Sequence, residues 1–246
     1  LSALDYVADP EGARQQINTW AEARTQGKIK DLIPPNIITE LTRLVLTNAI
    51  YFKGNWASQF DPARTQDAPF TVQPGQQVVV PMMAQKLECG YGEAEGVQVL
   101  ELPYVGDTLS LVVLLPTAVD GLAALEAQLT PAALGRWTQR LWQTEVQVFL
   151  PRFKVEAAFQ LNDALKALGM VDAFSDLRAN FAGLDGKAWL VISAVLHKAF
   201  VEVNEEGAEA AAATAVVMAM RAAARSEPIF RADHPFLFLI RENSTG

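Results

Sequence analysis

The sequence predicts a large α+β domain with mainly antiparallel sheets. Many short segments are rich in β-branched and aromatic residues, and a smaller number have the 3.6-residue period of amphipathic helices. Strands and helices are mixed without the regular β-α-β alternation that marks a parallel sheet. The chain has 246 residues, half of them hydrophobic and a fifth charged, which is enough to bury a sizeable core.

The first predicted helix begins at residues 9–11, where Asp9 can cap it and Pro10 suits the first turn. It ends near residues 25–28, because a glycine there favours a helix stop. Residues 42–52 are β-rich and nearly all apolar, which is typical of a central strand that is buried on both faces.

The later elements follow from the same two periodicities and from turn residues. The Gly-Asp pair at 106–107 predicts a hairpin, Thr130-Pro131 restarts a helix, and Gly169 ends another. Strands are therefore predicted at 78–83, 98–104, 109–115, 145–150, 195–203 and 236–240, and helices at 121–141 and 159–168.

Charge and composition disfavour two classes of partner, nucleic acids and membranes, on physical grounds; a local basic patch stays compatible with the sequence. The formal net charge is −8, which disfavours a nucleic-acid-binding surface. The apolar runs are too short to span a bilayer, so no membrane partner is expected. Cys89 has no second cysteine with which to form a disulfide, and we interpret it as a small core residue.

The chain lacks the motifs of common catalytic sites. It has no G-x-S-x-G nucleophile elbow, no H-E-x-x-H or paired C-x-x-C, and no phosphate-binding G-x-x-x-x-G-K-S/T loop. Its two histidines, His197 and His234, lie in different segments, and we interpret each as a core histidine. We therefore expect no enzyme activity, no cofactor and no metal.

One stretch, EEGAEAAAATAVVMAMRAAAR at residues 205–225, is rich in the best helix former but has no charged face for a surface helix. With VNEEG at 203–207, FRADHPFLFLI at 230–240 and LTNAIYFKGNW at 46–56, it resembles the serpin family. Segments 150–170 and 193–207 match as well. The loop looks most like that of the arginine-directed, antithrombin-type members.

The resemblance implies a serpin fold: three mainly antiparallel β-sheets, surrounding helices and an exposed reactive-centre loop. One partial serpin domain would cover residues 1–246, with the hinge and loop at 205–232. Relative to the family pattern, we expect the chain to be a fragment that lacks the N-terminal helices and the last C-terminal strands.

Serpins are suicide substrates, whose cleaved loop inserts into the central sheet and distorts the acylated protease. The hinge must bend and slide between strands, so it needs a glycine and small side chains. The expected hinge residues are Glu205, Glu206, Gly207, Ala208, Ala210, Ala211, Ala212, Ala213 and Thr214.

The reactive bond follows from the family spacing. Arg221, followed by Ala222, lies 14 residues after Gly207 and fits the acidic pocket of trypsin-like proteases. Arg225 is the alternative bait. Asn48 and His197 match the polar pair at the centre of the sheet, where we expect them to be buried and hydrogen-bonded. Trp56 matches the tryptophan at the place where the loop first enters.

The resemblance therefore implies an inhibitor that forms a covalent complex with a trypsin-like serine protease. We expect the full-length protein to be a monomer, and to be extracellular or periplasmic, although the sequence shows no signal peptide. A non-inhibitory serpin that acts as a carrier or chaperone is the alternative, but its hinge would usually be charged or bulky. An unrelated hydrolase is the third hypothesis.

Overall fold

The computed structural model describes residues 2–186, 190–207 and 227–246. Its contacts group the chain into two compact units. The first unit comprises Leu1–Phe52 and Lys154–Val201, and the second comprises Lys53–Phe153 and Glu202–Gly246. The single domain over residues 1–246 stays a prediction.

The described residues form helices and strands in this chain order: α1 (Pro10–Arg24), β1 (Leu44–Tyr51), β2 (Gln66–Gln73), β3 (Gln76–Ala94), β4 (Val97–Pro103), β5 (Leu109–Pro116), α2 (Leu122–Gln128), α3 (Pro131–Thr138), β6 (Trp142–Pro151), β7 (Phe153–Gln160), α4 (Asn162–Ala167), α5 (Ala182–Asp185), β8 (Ile192–Val203), β9 (Ile229–Arg231) and β10 (Leu237–Glu242).

The first unit is built on a three-stranded sheet, here called sheet I, with the order β1-β8-β7. β1 and β8 pair in parallel along the whole of β1. Helix α1 begins as predicted, because the Asp9 carboxylate accepts the Gly12 N–H at 2.8 Å. Ala21 of α1 packs with Leu196 and Phe200 of β8, so the core of this unit lies against one face of sheet I.

The second unit contains one seven-stranded sheet with two parts, here called sheet II and sheet III, which share the long strand β3. In sheet II the order is β10-β5-β4-β3, and in sheet III the strands β2 and β6 flank β3, with β9 beside β6. β6 and β9 are parallel, whereas the other pairs of strands among the described residues of this unit are antiparallel. Val99, Leu114 and Trp137 form part of a core under α2 and α3. The strand β5 is buried over almost its full length, as its apolar sequence predicts.

The prediction that residues 42–52 are buried on both faces is wrong. Val45 and Ala49 pack against the core of the first unit, but Leu46, Asn48 and Ile50 are exposed. Because successive side chains of a strand point to opposite faces, only the face toward α1 is covered by described residues.

Two predicted elements also differ in their bounds, and two strands are additional. Phe159 lies in strand β7, and the helix that was predicted at 159–168 is limited to Asn162–Ala167. β3 extends far beyond the predicted 78–83, and the strands β2 and β9 were not predicted. Cross-strand pairing can hold such polar segments extended even where their own alternation is weak.

Candidate functional site

The chain reverses direction immediately after β8, in a tight turn at residues 204–207, here called the proximal foot. The Gly207 N–H donates to the Asn204 carbonyl at 3.2 Å, and the Asn204 side-chain oxygen accepts the Glu206 N–H at 3.1 Å. Gly207 has φ of +105°, a conformation that glycine adopts at little cost. The turn at residues 204–207 is therefore closed by hydrogen bonds of its own backbone and of the Asn204 side chain.

Gly207 also forms an antiparallel bridge with Asn55, four residues beyond the end of β1. The approach is so close that a Cβ at Gly207 would lie 2.4 Å from the Gly54 carbonyl oxygen and 2.6 Å from the Trp56 nitrogen. Gly207 thus pairs on one side with Asn204, which follows β8, and on the other with Asn55. The geometry requires glycine twice, for its φ and for its missing side chain.

Trp56 holds the backbone of this turn. Its backbone N–H donates to the Glu206 carbonyl at 3.0 Å, and its indole N–H donates to the Asn204 carbonyl at 2.9 Å. The Phe60 N–H donates to the Glu205 carbonyl at 2.9 Å. Trp56 is only 2% exposed and stacks on Tyr104 with ring centroids 4.6 Å apart, so its donors are held in place by packing.

The carboxylate of Glu205 is the buried charge of the proximal foot. It accepts a hydrogen bond from the Thr65 hydroxyl at 2.6 Å and lies 3.4 Å from Nε of Arg152. Burial of an anion requires such partners. Sequence reasoning assigned Glu205 to the hinge but missed Thr65 and Arg152, for which no local motif gave a signal.

The described chain resumes at residues 227–234, here called the distal foot, on sheet III. The Glu227 carboxylate lies 2.6 Å from the Lys86 ammonium, which is also 3.0 Å from Glu145. Hydrogen bonding to Glu227 raises the pKa of Lys86, and Glu145 adds to the effect. The Gln147 N–H donates to the Pro228 carbonyl at 3.0 Å, which leads directly into the pairing of β9 with β6.

His234 closes the distal foot as a buried, hydrogen-bonded histidine. Its Nδ1 is 2.8 Å from the Asp233 carboxylate, and its Nε2 is 2.7 Å from the carbonyl of Pro116, the last residue of β5. The Asp233 carbonyl accepts the Thr71 N–H at 2.8 Å. The distal foot is therefore bonded to strands of both sheets of the second unit.

Asn48 and His197 are register partners on β1 and β8, but within the described residues they are not buried and hydrogen-bonded as expected. Their role at the centre of the sheet stays a prediction. Asn48 is exposed and His197 is half-buried, and no hydrogen bond to another described residue involves either side chain. The His197 ring stacks on Phe159 with centroids 6.3 Å apart. The reason is again strand alternation, because this face of sheet I lies opposite to the core.

The central part of the loop lies outside the described residues. This applies to Ala222 and both candidate bait residues, Arg221 and Arg225, and to the hinge residues Ala208, Ala210, Ala211, Ala212, Ala213 and Thr214.

Within the described ranges, no cluster of three potential metal ligands occurs. In the same part of the chain, no helix is long and apolar enough to cross a membrane. Cys89 is buried as expected, and burial raises the pKa of its thiol to about 12. The contacts made by residues 204–207 and 227–234 make the two feet of the loop the candidate site.

The family model "Serpin (serine protease inhibitor)" matches residues 1–246, the whole of the chain. The chain belongs to the serpin family. Its fold is the serpin fold: it superimposes on uncleaved ovalbumin with a TM-score of 0.87 at 34% identity, covering 98% of this chain and 62% of ovalbumin. The resemblance that the hinge and C-terminal motifs indicated is thus confirmed at the level of the family.

Among the relatives, serpin B8 from Bos taurus is 47% identical over all of this chain and 66% of its own length. Antithrombin-III from Mus musculus is 45% identical over 98% of this chain and 53% of its own length. This serpin chain therefore spans about half to two thirds of these relatives. Their similar identities do not single out an antithrombin type.

Proposed function

We propose that this serpin inhibits trypsin-like serine endopeptidases as a suicide substrate and does not itself turn over substrates. The protease cuts after Arg221, remains acylated at that residue, and is carried away as residues 208–221 insert between β1 and β8. The partner is thus a trypsin-like protease in a covalent complex. An extracellular or periplasmic location and a monomeric state remain expectations of the same proposal.

The pairing of Gly207 on both sides is the observation that carries this proposal. A strand that follows the turn at residues 204–207 runs antiparallel to β8, and also to β1, because β1 and β8 are parallel. Gly207 occupies the position at which such a strand would begin, between Asn204 and Asn55. Successive inserted residues would bond alternately to β8 and to β1, so insertion replaces the single β1–β8 ladder with two ladders, which favours the inserted state.

The composition of residues 208–221 supports the same step. Small side chains let the segment enter a closed sheet, and no proline interrupts the new hydrogen bonds. Fourteen residues span roughly 45 Å in extended form, enough to displace a protease across a domain. Displacement would distort the catalytic site of the protease. Deacylation would then stop, because the oxyanion hole would no longer be preorganised.

The test mixes the protein with trypsin and separates the products on a denaturing gel. We expect a band at the summed mass that survives boiling in detergent, and mass spectrometry of the released peptide should place the cut after Arg221. Arg221→Glu should abolish the band, because an acidic residue cannot enter the acidic primary pocket. Arg225→Glu is the matched control and should leave the band unchanged.

Two outcomes would overturn the proposal in different ways. If Arg225→Glu alone removes the band, the bait is Arg225. If trypsin cleaves the loop without any stable complex, the protein is a substrate, and the non-inhibitory carrier or chaperone becomes the better hypothesis.

A further inference from the structure

A cavity of about 130 Å³ lies in the second unit beside the proximal foot. Four apolar side chains line it, and each is nearly inaccessible to solvent: Trp56, Phe60, Leu87 and Leu102. Ala57, Ser58 and Pro103 complete the wall together with Glu88, the only charged residue among the described residues that line it. Apolar protein cavities of about 150 Å³ take up one benzene ring, so this space is of the size for a single ring.

The cavity exists because two strands separate. β3 pairs with β2 up to Met82 and with β4 from Gly90 onward, so residues 83–89 pair on one edge only, with β6. No backbone hydrogen bond to another described residue covers the second edge of this stretch. The segment that begins at Trp56 fills the gap only in part, through the Ala57 N–H, which donates to the Pro103 carbonyl at 2.9 Å.

The charge at the cavity is available to a ligand. Glu88 lies directly opposite Glu145 across the β3–β6 pair, a like-charged neighbour. The nearby cation, Lys86, is shared between Glu145 and Glu227, and among the described residues no cation lies within ion-pair distance of Glu88. A cationic ligand would relieve the Glu88–Glu145 repulsion, whereas an anionic ligand would increase it.

We propose that this cavity is a binding site for a small aromatic amine, one ring that carries an ammonium group on a short chain. The ring packs among Trp56, Phe60, Leu87 and Leu102. The ammonium group pairs with Glu88 and donates to carbonyl oxygens on the unpaired edge of β3. Aromatic walls add cation–π attraction for the same charge.

The site is coupled to the proximal foot by two backbone bonds. Trp56 and Phe60, which form two walls, donate their N–H groups to the carbonyls of Glu206 and Glu205. A ligand that binds only while these walls are in place stabilises that arrangement by mass action. Binding should therefore slow hydrogen exchange of the Trp56 and Phe60 amides, an effect that does not depend on protease trapping.

The test compares two probes of the same shape, 2-phenylethylamine and 2-phenylethanol, by isothermal titration calorimetry with the protein. We expect the amine to bind more tightly. Glu88→Gln should weaken the binding affinity for the amine at least about tenfold, because a hydrogen bond to a charged group is lost. The affinity for the alcohol should not change. Glu126→Gln, on the exposed face of α2, is the matched control for the change in net charge and should have no effect.

Ser58→Trp, at an exposed position of the lining, should fill the cavity and block both probes. Circular dichroism verifies that each variant is folded. The proposal is overturned if neither probe binds the unmodified protein, or if the amine binds equally to the Glu88→Gln variant. Equal binding to a folded Ser58→Trp variant would place the amine elsewhere and overturn it as well.

Discussion

The two feet of the loop, on either side of residues 208–226, are anchored in different ways. The proximal foot is a four-residue turn with a glycine at positive φ, held by backbone bonds from Trp56 and Phe60 and by one buried carboxylate. The distal foot has a strand in sheet III, ion pairs at Glu227 and a buried histidine bonded to Pro116. We infer that the proximal foot is built to change its partners, whereas the distal foot stays on its sheet.

The largest effect should come from Gly207→Ala. The new Cβ would meet the Gly54 carbonyl at 2.4 Å, and φ of +105° is unfavourable for alanine. We expect the free energy of unfolding to fall by about 3 kcal/mol, measured by urea denaturation. Gly75→Ala is the matched control, because its φ is +82° but nothing lies within 4 Å of its Cβ. Equal losses in the two variants would mean that close packing at Gly207 is unimportant.

Glu205→Ala should have the next largest effect. It leaves the Thr65 hydroxyl without its acceptor and removes the partner of Arg152. We expect a loss of about 2 kcal/mol in the free energy of unfolding. Arg152→Met should lower the free energy of unfolding by less, because Arg152 is half-exposed and the Thr65 hydroxyl still donates to the Glu205 carboxylate. A larger loss in Arg152→Met than in Glu205→Ala would contradict this order.

His234→Ala tests the distal foot. The Pro116 carbonyl would lose its buried donor, and we expect the free energy of unfolding to fall by about 1.5 kcal/mol. Formation of the trypsin complex should persist in this variant, because the proximal foot is intact. His197→Ala provides the comparison. The substitution removes only a stacking contact with Phe159, so it should lower the free energy of unfolding by less than His234→Ala does. If His197→Ala is the more harmful change, the description of sheet I is wrong.

The smallest effect should come from Lys86→Met, which removes the ion pairs with Glu145 and Glu227. These groups are exposed, so their attraction is weak and screened by salt. We expect a slight shift of the denaturation midpoint at low ionic strength that disappears at high ionic strength. A large shift that is insensitive to salt would show that the distal foot depends on these charges more than on β9.

Some elements were predicted correctly because the interactions that form them involve residues close together in the sequence. The Asp9-Pro10 start of α1 depends on a cap three residues away, and the apolar run of β5 indicates a buried strand by itself. Residues 159–168 were misread because Phe159 is held in β7 by its neighbour β8, not by its own sequence. The burial of β1 was overestimated because composition does not say which faces of a strand are covered.

The sequence by itself determined the family, the composition of the hinge and the spacing from Gly207 to Arg221, since each is a property of neighbouring residues. Only the tertiary structure decided that Glu205 is held by Thr65, 140 positions away, that Gly207 pairs with both Asn204 and Asn55, and that a cavity opens where β3 leaves β4. These contacts join distant parts of the chain, and no local pattern of side chains encodes them.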